Sequence, residues 1–168
     1  MNLVIHDLEQ EELLSSIFPT LGDDIKIISD DGTIKHCIGC FGCWIKTPAV
    51  CVIRDNYGDM GEYLSKCKTL TIISKCFYGG YSPFIKNVMD RSISYVHPYF
   101  EIRNKEIHHK NRYDTHFDLK VLFYGENISD KEKETAKKLV KANSTNLDCK
   151  SHEVSFVTNL AEMEGLSI

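Results

Sequence analysis

Thr69-Leu70-Thr71-Ile72-Ile73-Ser74, followed after Lys75 to Tyr78 by Gly79-Gly80-Tyr81-Ser82-Pro83, is the stretch on which the reading turns. Residues 69–74 are uncharged and rich in β-branched side chains, the pattern of a central strand in a parallel sheet. The glycines and Pro83 turn the chain. Ser82 is suited to cap a helix that has Pro83 at its first position, with Phe84, Ile85, Val88 and Met89 as its buried stripe.

Outward from this stretch the chain alternates between strand-like and helix-like periods. Leu3-Val4-Ile5 reads as a first strand, followed by a helix with Leu8, Leu13, Leu14, Ile17 and Phe18 inward and stopped by Pro19 to Gly22. Ile25 to Ile28 makes a second strand. Asp55 is read as opening a helix that carries Tyr57, Met60, Tyr63 and Leu64 on one side. Leu119 to Tyr124 is a fourth strand, ending at Gly125. Ser129-Asp130-Lys131-Glu132 has the form of a capping box, and Ala136, Leu139 and Val140 face inward beyond it. Glu153 to Val157 is the fifth strand. Five strands with intervening helices predict an α/β domain spanning 1–168, doubly wound, with a five-stranded parallel sheet in the order 2-1-3-4-5. Its functional loops would follow strands one, three and four.

The composition, 42% hydrophobic and 26% charged over 168 residues, is that of a soluble globular protein. A net charge of −4 argues against a nucleic-acid partner. No apolar run approaches the roughly 20 residues of a membrane span, and Met1 to Asp7 lacks the form of a secretory signal. A cytoplasmic protein is expected. In that reducing compartment, clustered cysteines point to metal or redox ligands before structural bridges.

Four of the seven cysteines form such a cluster: Cys37-Ile38-Gly39-Cys40-Phe41-Gly42-Cys43, then seven residues, then Cys51. Two successive C-x-x-C steps bring three thiolates onto one small surface, and the glycines leave room for an inorganic core. Cys51 would complete the ligation of a [4Fe–4S] centre. Zinc could use the same sulfurs, although structural zinc sites more often split their ligands into two pairs. The plainer alternative is reduced cysteines, or a dithiol that forms occasional disulfides. Cys67, Cys76 and Cys149 stand alone and read as small core residues.

This cysteine run, with Val52-Ile53-Arg54-Asp55, Thr69 to Ser74, Tyr78-Gly79-Gly80-Tyr81-Ser82 and Lys86-Asn87-Val88-Met89-Asp90-Arg91, resembles the iron–sulfur flavoprotein branch of the NAD(P)H-dependent FMN reductase family. The resemblance runs from Cys37 to Phe100 and continues to the C-terminus by strand pattern. It implies a flavodoxin-like three-layer αβα fold with FMN at the strand ends. It further implies electrons drawn from NAD(P)H or a protein donor such as ferredoxin, and a homodimer or homotetramer. Carried over by position, Cys37, Cys40, Cys43 and Cys51 would hold the cluster. Cys76, Phe77, Tyr78, Gly79, Gly80 and Tyr81 would run along the flavin ring, with backbone N–H groups near its O4 or N5.

The sequence departs from the family after the first strand. There the family has a glycine/serine/threonine-rich loop around the FMN phosphate, and this chain has His6-Asp7-Leu8-Glu9-Gln10-Glu11-Glu12. Those acids favour a helix start and repel a phosphate. FMN is therefore expected to be held weakly, differently or not at all.

The segment His97 to Phe117 is long for a connection and is read as a subunit contact or a flap over the cofactor. Its His108 and His109 point opposite ways in an extended chain, which argues against a metal site. Lys110 and Arg112 could supply charge to a flavin or nicotinamide phosphate. The leading functional reading is an FMN-dependent oxidoreductase or electron-transfer flavoprotein with a [4Fe–4S] cluster. The alternative is a flavin-free relative whose cysteines are structural or sense oxidation and act through a partner. No nucleophile-elbow motif supports a hydrolase.

Overall fold

In the computed structural model, which describes residues 1–8, 24–159 and 162, the central stretch forms the middle strand of a five-stranded parallel sheet. Its strands are β1 (Asn2–His6), β2 (Ile25–Ile28), β3 (Thr69–Lys75), β6 (Asp118–Tyr124) and β7 (Ser151–Val157). The expected order 2-1-3-4-5 is corrected to β2-β1-β3-β6-β7, because two further strands intervene in the chain. These are β4 (Val96–Arg103) and β5 (Glu106–Asn111), an antiparallel hairpin inside the connection read as a flap or contact. The five segments read as strands do supply the sheet.

The hairpin turns on Asn104 and Lys105, with φ of 51° and 68°. Two consecutive left-handed residues are what a tight two-residue hairpin loop requires.

Alternation along the strands divides the core. Leu3, Ile5, Leu70, Ile72, Leu119, Val121 and Phe123 are buried on one face, together with residues of the helices α2 (Met60–Ser65), α3 (Pro83–Arg91) and α4 (Asp130–Asn146). On the other face Val4, Leu8, Ile73, Leu122 and Val157 form a second cluster. The helix expected after the first strand, apart from Leu8, lies outside the described residues.

The caps fold as their sequences dictate. Ser82 Oγ accepts from the Ile85 N–H, with Pro83 following it, and Ser129 and Glu132 close a reciprocal capping box. Asp55 does not open a helix; α2 begins at Met60, five residues later. Tyr57 is buried, and its hydroxyl donates to Ser29 O at 2.8 Å. Among the described residues no helix is long and apolar enough to cross a membrane.

Candidate functional site

The cysteine run folds as a tight turn into a single helical turn, α1 (Gly42–Ile45). Gly39 (φ 63°) and Phe41 (φ 55°) take left-handed conformations between the cysteines. Only glycine fits at 42, where a Cβ would lie 2.5 Å from Val52 Cγ1. The return is pinned by Ala49 N–H donating to Cys43 O at 3.0 Å and Cys51 N–H donating to Gly58 O at 3.1 Å. Cys37, Cys40, Cys43 and Cys51 thereby border one cavity of about 470 Å³. Cys37 and Cys40 are exposed, Cys43 is half-buried and Cys51 is buried. Burial, followed by the negative charge of Cys51 and Cys37, pushes the Cys43 thiol up. Thiols crowded in this way release protons when a cation binds them.

The four sulfurs share a cavity without closing on a point. Among the described residues no three His, Cys, Asp or Glu side chains are grouped to hold a metal ion. The expected metal ligands are thus brought to one place, but a finished ligand cage is not formed.

Arg91 borders the same cavity. It ends the buried stripe of α3, formed with Phe84, Ile85 and Val88. Its side chain is 0% exposed, and that of Asp55, its partner, 4%. Nη1 donates to Asp55 Oδ2 (2.8 Å) and Lys35 O (2.9 Å), while Nη2 donates to Asp55 Oδ1 (2.8 Å) and Ile53 O (3.4 Å). The Arg91 guanidinium holds the Asp55 carboxyl below the usual carboxylate range. Only the buried Nε–H is left without a partner. Sequence reasoning missed this pair, although one signal was available: an arginine at i+7 from Phe84, on the apolar stripe.

The β4–β5 hairpin packs beside the cysteine turn through Trp44. The indole N–H donates to Val96 O at 3.0 Å, and its ring lies 5.5 Å from Phe41 and 4.9 Å from His109. His109 also meets Phe100 at 4.8 Å, while His108 pairs with Glu106, so the adjacent histidines do diverge. Arg112, read as a phosphate-binding candidate, donates to Ser94 O and Val96 O and so braces the base of the hairpin. Tyr99, Phe100, Ile102 and Ile107 are exposed.

The strand ends offer a second place for a ligand. A cavity of about 770 Å³ is bordered by Cys76, Tyr124, Gly125, Ile128, Glu132 and Thr158. Its size is ample for a flat ring. The loop expected to run along that ring is largely closed on itself. Cys76 N–H donates to Tyr124 O, and Phe77 and Gly80 exchange both hydrogen bonds at 3.0 and 2.8 Å. Gly79 (φ 79°) leans on α4, where a Cβ would meet Glu132 O at 2.7 Å. Its N–H is directed at the Cys76 thiol, which burial pushes up. Tyr78 is fully presented to solvent, 91% exposed. Tyr81 turns inward, stacks on Phe123 at 5.5 Å and receives a hydrogen bond from Asn143; burial pushes its hydroxyl up to about 12.

Between β1 and β3, where the strand order reverses, Asp7 accepts from the Lys75 N–H at 3.0 and 3.2 Å. Burial raises the Asp7 carboxyl above its ordinary value. A phosphate placed here would meet a carboxylate, so the described residues suit a flavin ring better than a phosphate. The acidic residues from Glu9 onward lie outside the described residues. Cys67 and Cys149 are far from reactive: burial pushes their thiols up to about 11 and about 12.

No protein-family profile matches the sequence, and no curated protein matches it either. Solved structures do match in shape. An NADPH-quinone reductase from P. pentosaceus superposes with a TM-score of 0.61 at 7% identity, covering 100% of this chain and 99% of that one. An FMN-dependent NADH-azoreductase from Bacillus anthracis, in complex with FMN, gives 0.54 at 11% identity over 97% and 92% of the two chains. General stress protein 14 from Treponema denticola, also in complex with FMN, gives 0.54 at 10% over 97% and 91%. At these identities the likeness establishes the architecture: the chain has the flavodoxin-like fold of these solved structures.

Proposed function

We propose that this chain is an oxidoreductase or electron-transfer flavoprotein that uses FMN at the strand ends and a [4Fe–4S] cluster on Cys37, Cys40, Cys43 and Cys51. NAD(P)H, or a small protein donor such as ferredoxin, would supply the electrons. The fold shared with an NADPH-quinone reductase and two FMN-complexed proteins supports the flavin and nicotinamide part. The observation that carries the cluster part is the cavity in which four thiols meet a buried arginine. A zinc ion would draw all four sulfurs to about 2.3 Å of one point. A [4Fe–4S] core gives each sulfur its own iron, which suits thiols spread around a shared space.

FMN supplies hydride and single-electron chemistry when bound, and the cluster carries single electrons. The chain's own residues do the rest. The turn at Gly39, Phe41 and Gly42 presents the thiols. Trp44, bonded to Val96 O, walls the site on the hairpin side. The exposed Phe77 and Tyr78 follow Cys76, which borders the strand-end cavity, where a flat ligand would need cover from water. Homodimer or homotetramer assembly would bury the exposed apolar side chains of the hairpin, Tyr99, Phe100, Ile102 and Ile107.

The test is an anaerobic preparation analysed for iron, sulfide, flavin and, by light scattering, mass. About four irons per chain with bound flavin are expected, and Cys51→Ala should lose most of the iron. A colourless, iron-free protein after reconstitution would sink the reading. Iron without flavin would favour the flavin-free alternative acting through a partner, for which Asp7 and the closed loop at 76–80 already speak.

A further inference from the structure

We infer that Arg91 is the hydrogen-bond donor and positive pole for an anionic centre held by Cys37, Cys40, Cys43 and Cys51, and that Asp55 sets the strength of that pole. The inference rests on the cluster reading above and concerns residues to which that reading gives no part.

A side chain as polar as arginine is buried only when its donors are used. Here the four Nη protons are engaged by Asp55, Lys35 O and Ile53 O, and the Nε–H is not. Arg91 borders the cysteine cavity and Asp55 does not. The ion pair is therefore a buried dipole with its positive end toward the thiols. Arg91 and all four cysteines border that same cavity, and the unpartnered Nε–H is the donor the guanidinium has left to give. Four thiolates outweigh the charge of the core they bind, so the centre is anionic, and an added electron makes it more so. A fixed positive pole on the wall of the same cavity favours the reduced form, which is how surrounding groups tune such centres.

The test is a dithionite titration of the protein, loaded with ferrous iron and sulfide, followed by electron paramagnetic resonance. Dithionite gives one electron to the cluster, and no bond is made or broken. Arg91→Gln removes the positive pole and leaves the Asp55 charge behind it unbalanced, and should disfavour reduction about tenfold, a drop of about 59 mV for one electron. Asp55→Asn unmasks the guanidinium and should move the potential the opposite way. A residue that merely supports the fold would shift both variants in one direction or lose the iron in both. Potentials that do not move, or that move together, overturn the inference while leaving the cluster reading intact. An iron-free wild type overturns both.

Should the variants fail to fold, the wild type decides. The chain has four arginines, at 54, 91, 103 and 112. With arginine labelled in 15N, one Nε–H resonance should shift on iron loading and again on reduction. Four unmoved resonances would overturn the inference.

Discussion

Asp55→Ala is expected to destabilise the protein by about 3–5 kcal/mol, the range found when one partner of a buried ion pair is removed. The loss comes less from the missing attraction than from what is left behind. The Arg91 side chain, 0% exposed, would keep its charge with two carbonyls in place of a carboxylate. Urea denaturation at neutral pH measures the effect directly. A double replacement, Asp55→Leu with Arg91→Met, should recover much of the stability, because apolar residues of similar volume remove both desolvation costs. If the single variant unfolds within 1 kcal/mol of the wild type, as estimated for an exposed pair, the guanidinium is wetter than its burial implies. The pair also has a pH signature. The folded Asp55 is held below its unfolded value, so its contribution is present above about pH 4 and fades as the pH falls further.

His6 should account for a further loss at milder acidity. It is 0% exposed at the end of β1, its Nδ1 accepts from the Leu8 N–H at 3.2 Å, and burial lowers its pKa to about 4. The unfolded chain titrates near 6.5. Between these values the unfolded state binds more protons than the folded one, so stability falls as the pH drops from about 6.5 to about 4. At about 1.36 kcal/mol per unit, the full loss is about 3 kcal/mol. Urea midpoints at pH 7, 6 and 5 should decline in the wild type and stay nearly level in His6→Gln. Equal slopes in the two proteins would remove His6 as the cause. The windows barely overlap, so the two residues can be separated by pH alone.

The sheet was legible because its signals are local. An uncharged β-branched run such as Thr69 to Ser74 has few other homes, and Ser82-Pro83 and Ser129 to Glu132 carry their caps in the sequence itself. The hairpin was harder to read because its alternation is inverted: Tyr99, Phe100, Ile102 and Ile107 face outward while Arg103 is tucked against Thr145 O and Glu101. Its turn residues, Asn104 and Lys105, lack the glycine that usually marks a two-residue loop. At the candidate site the four spaced cysteines come to border one cavity. Asp55 and Arg91 were each quoted, one as a helix start and one as part of a motif. Their pairing joins residues 36 positions apart, which no local pattern reports. Tyr81 shows the converse: an aromatic beside a glycine turn suggests a ligand face, and the fold has it packed on Phe123.

Helix α3 runs from the end of β3 to the cysteine cavity. The N–H of its cap, Ser82, donates to Ser74 Oγ at the end of β3, while its last residue, Arg91, borders the cysteines. Nine residues at 1.5 Å each make a rod of about 13 Å. The helix length sets the scale of the separation between the end of β3 and the cysteine cavity. Under the proposed function, electrons passing between the strand ends and the cysteines would have to cross a gap of that scale.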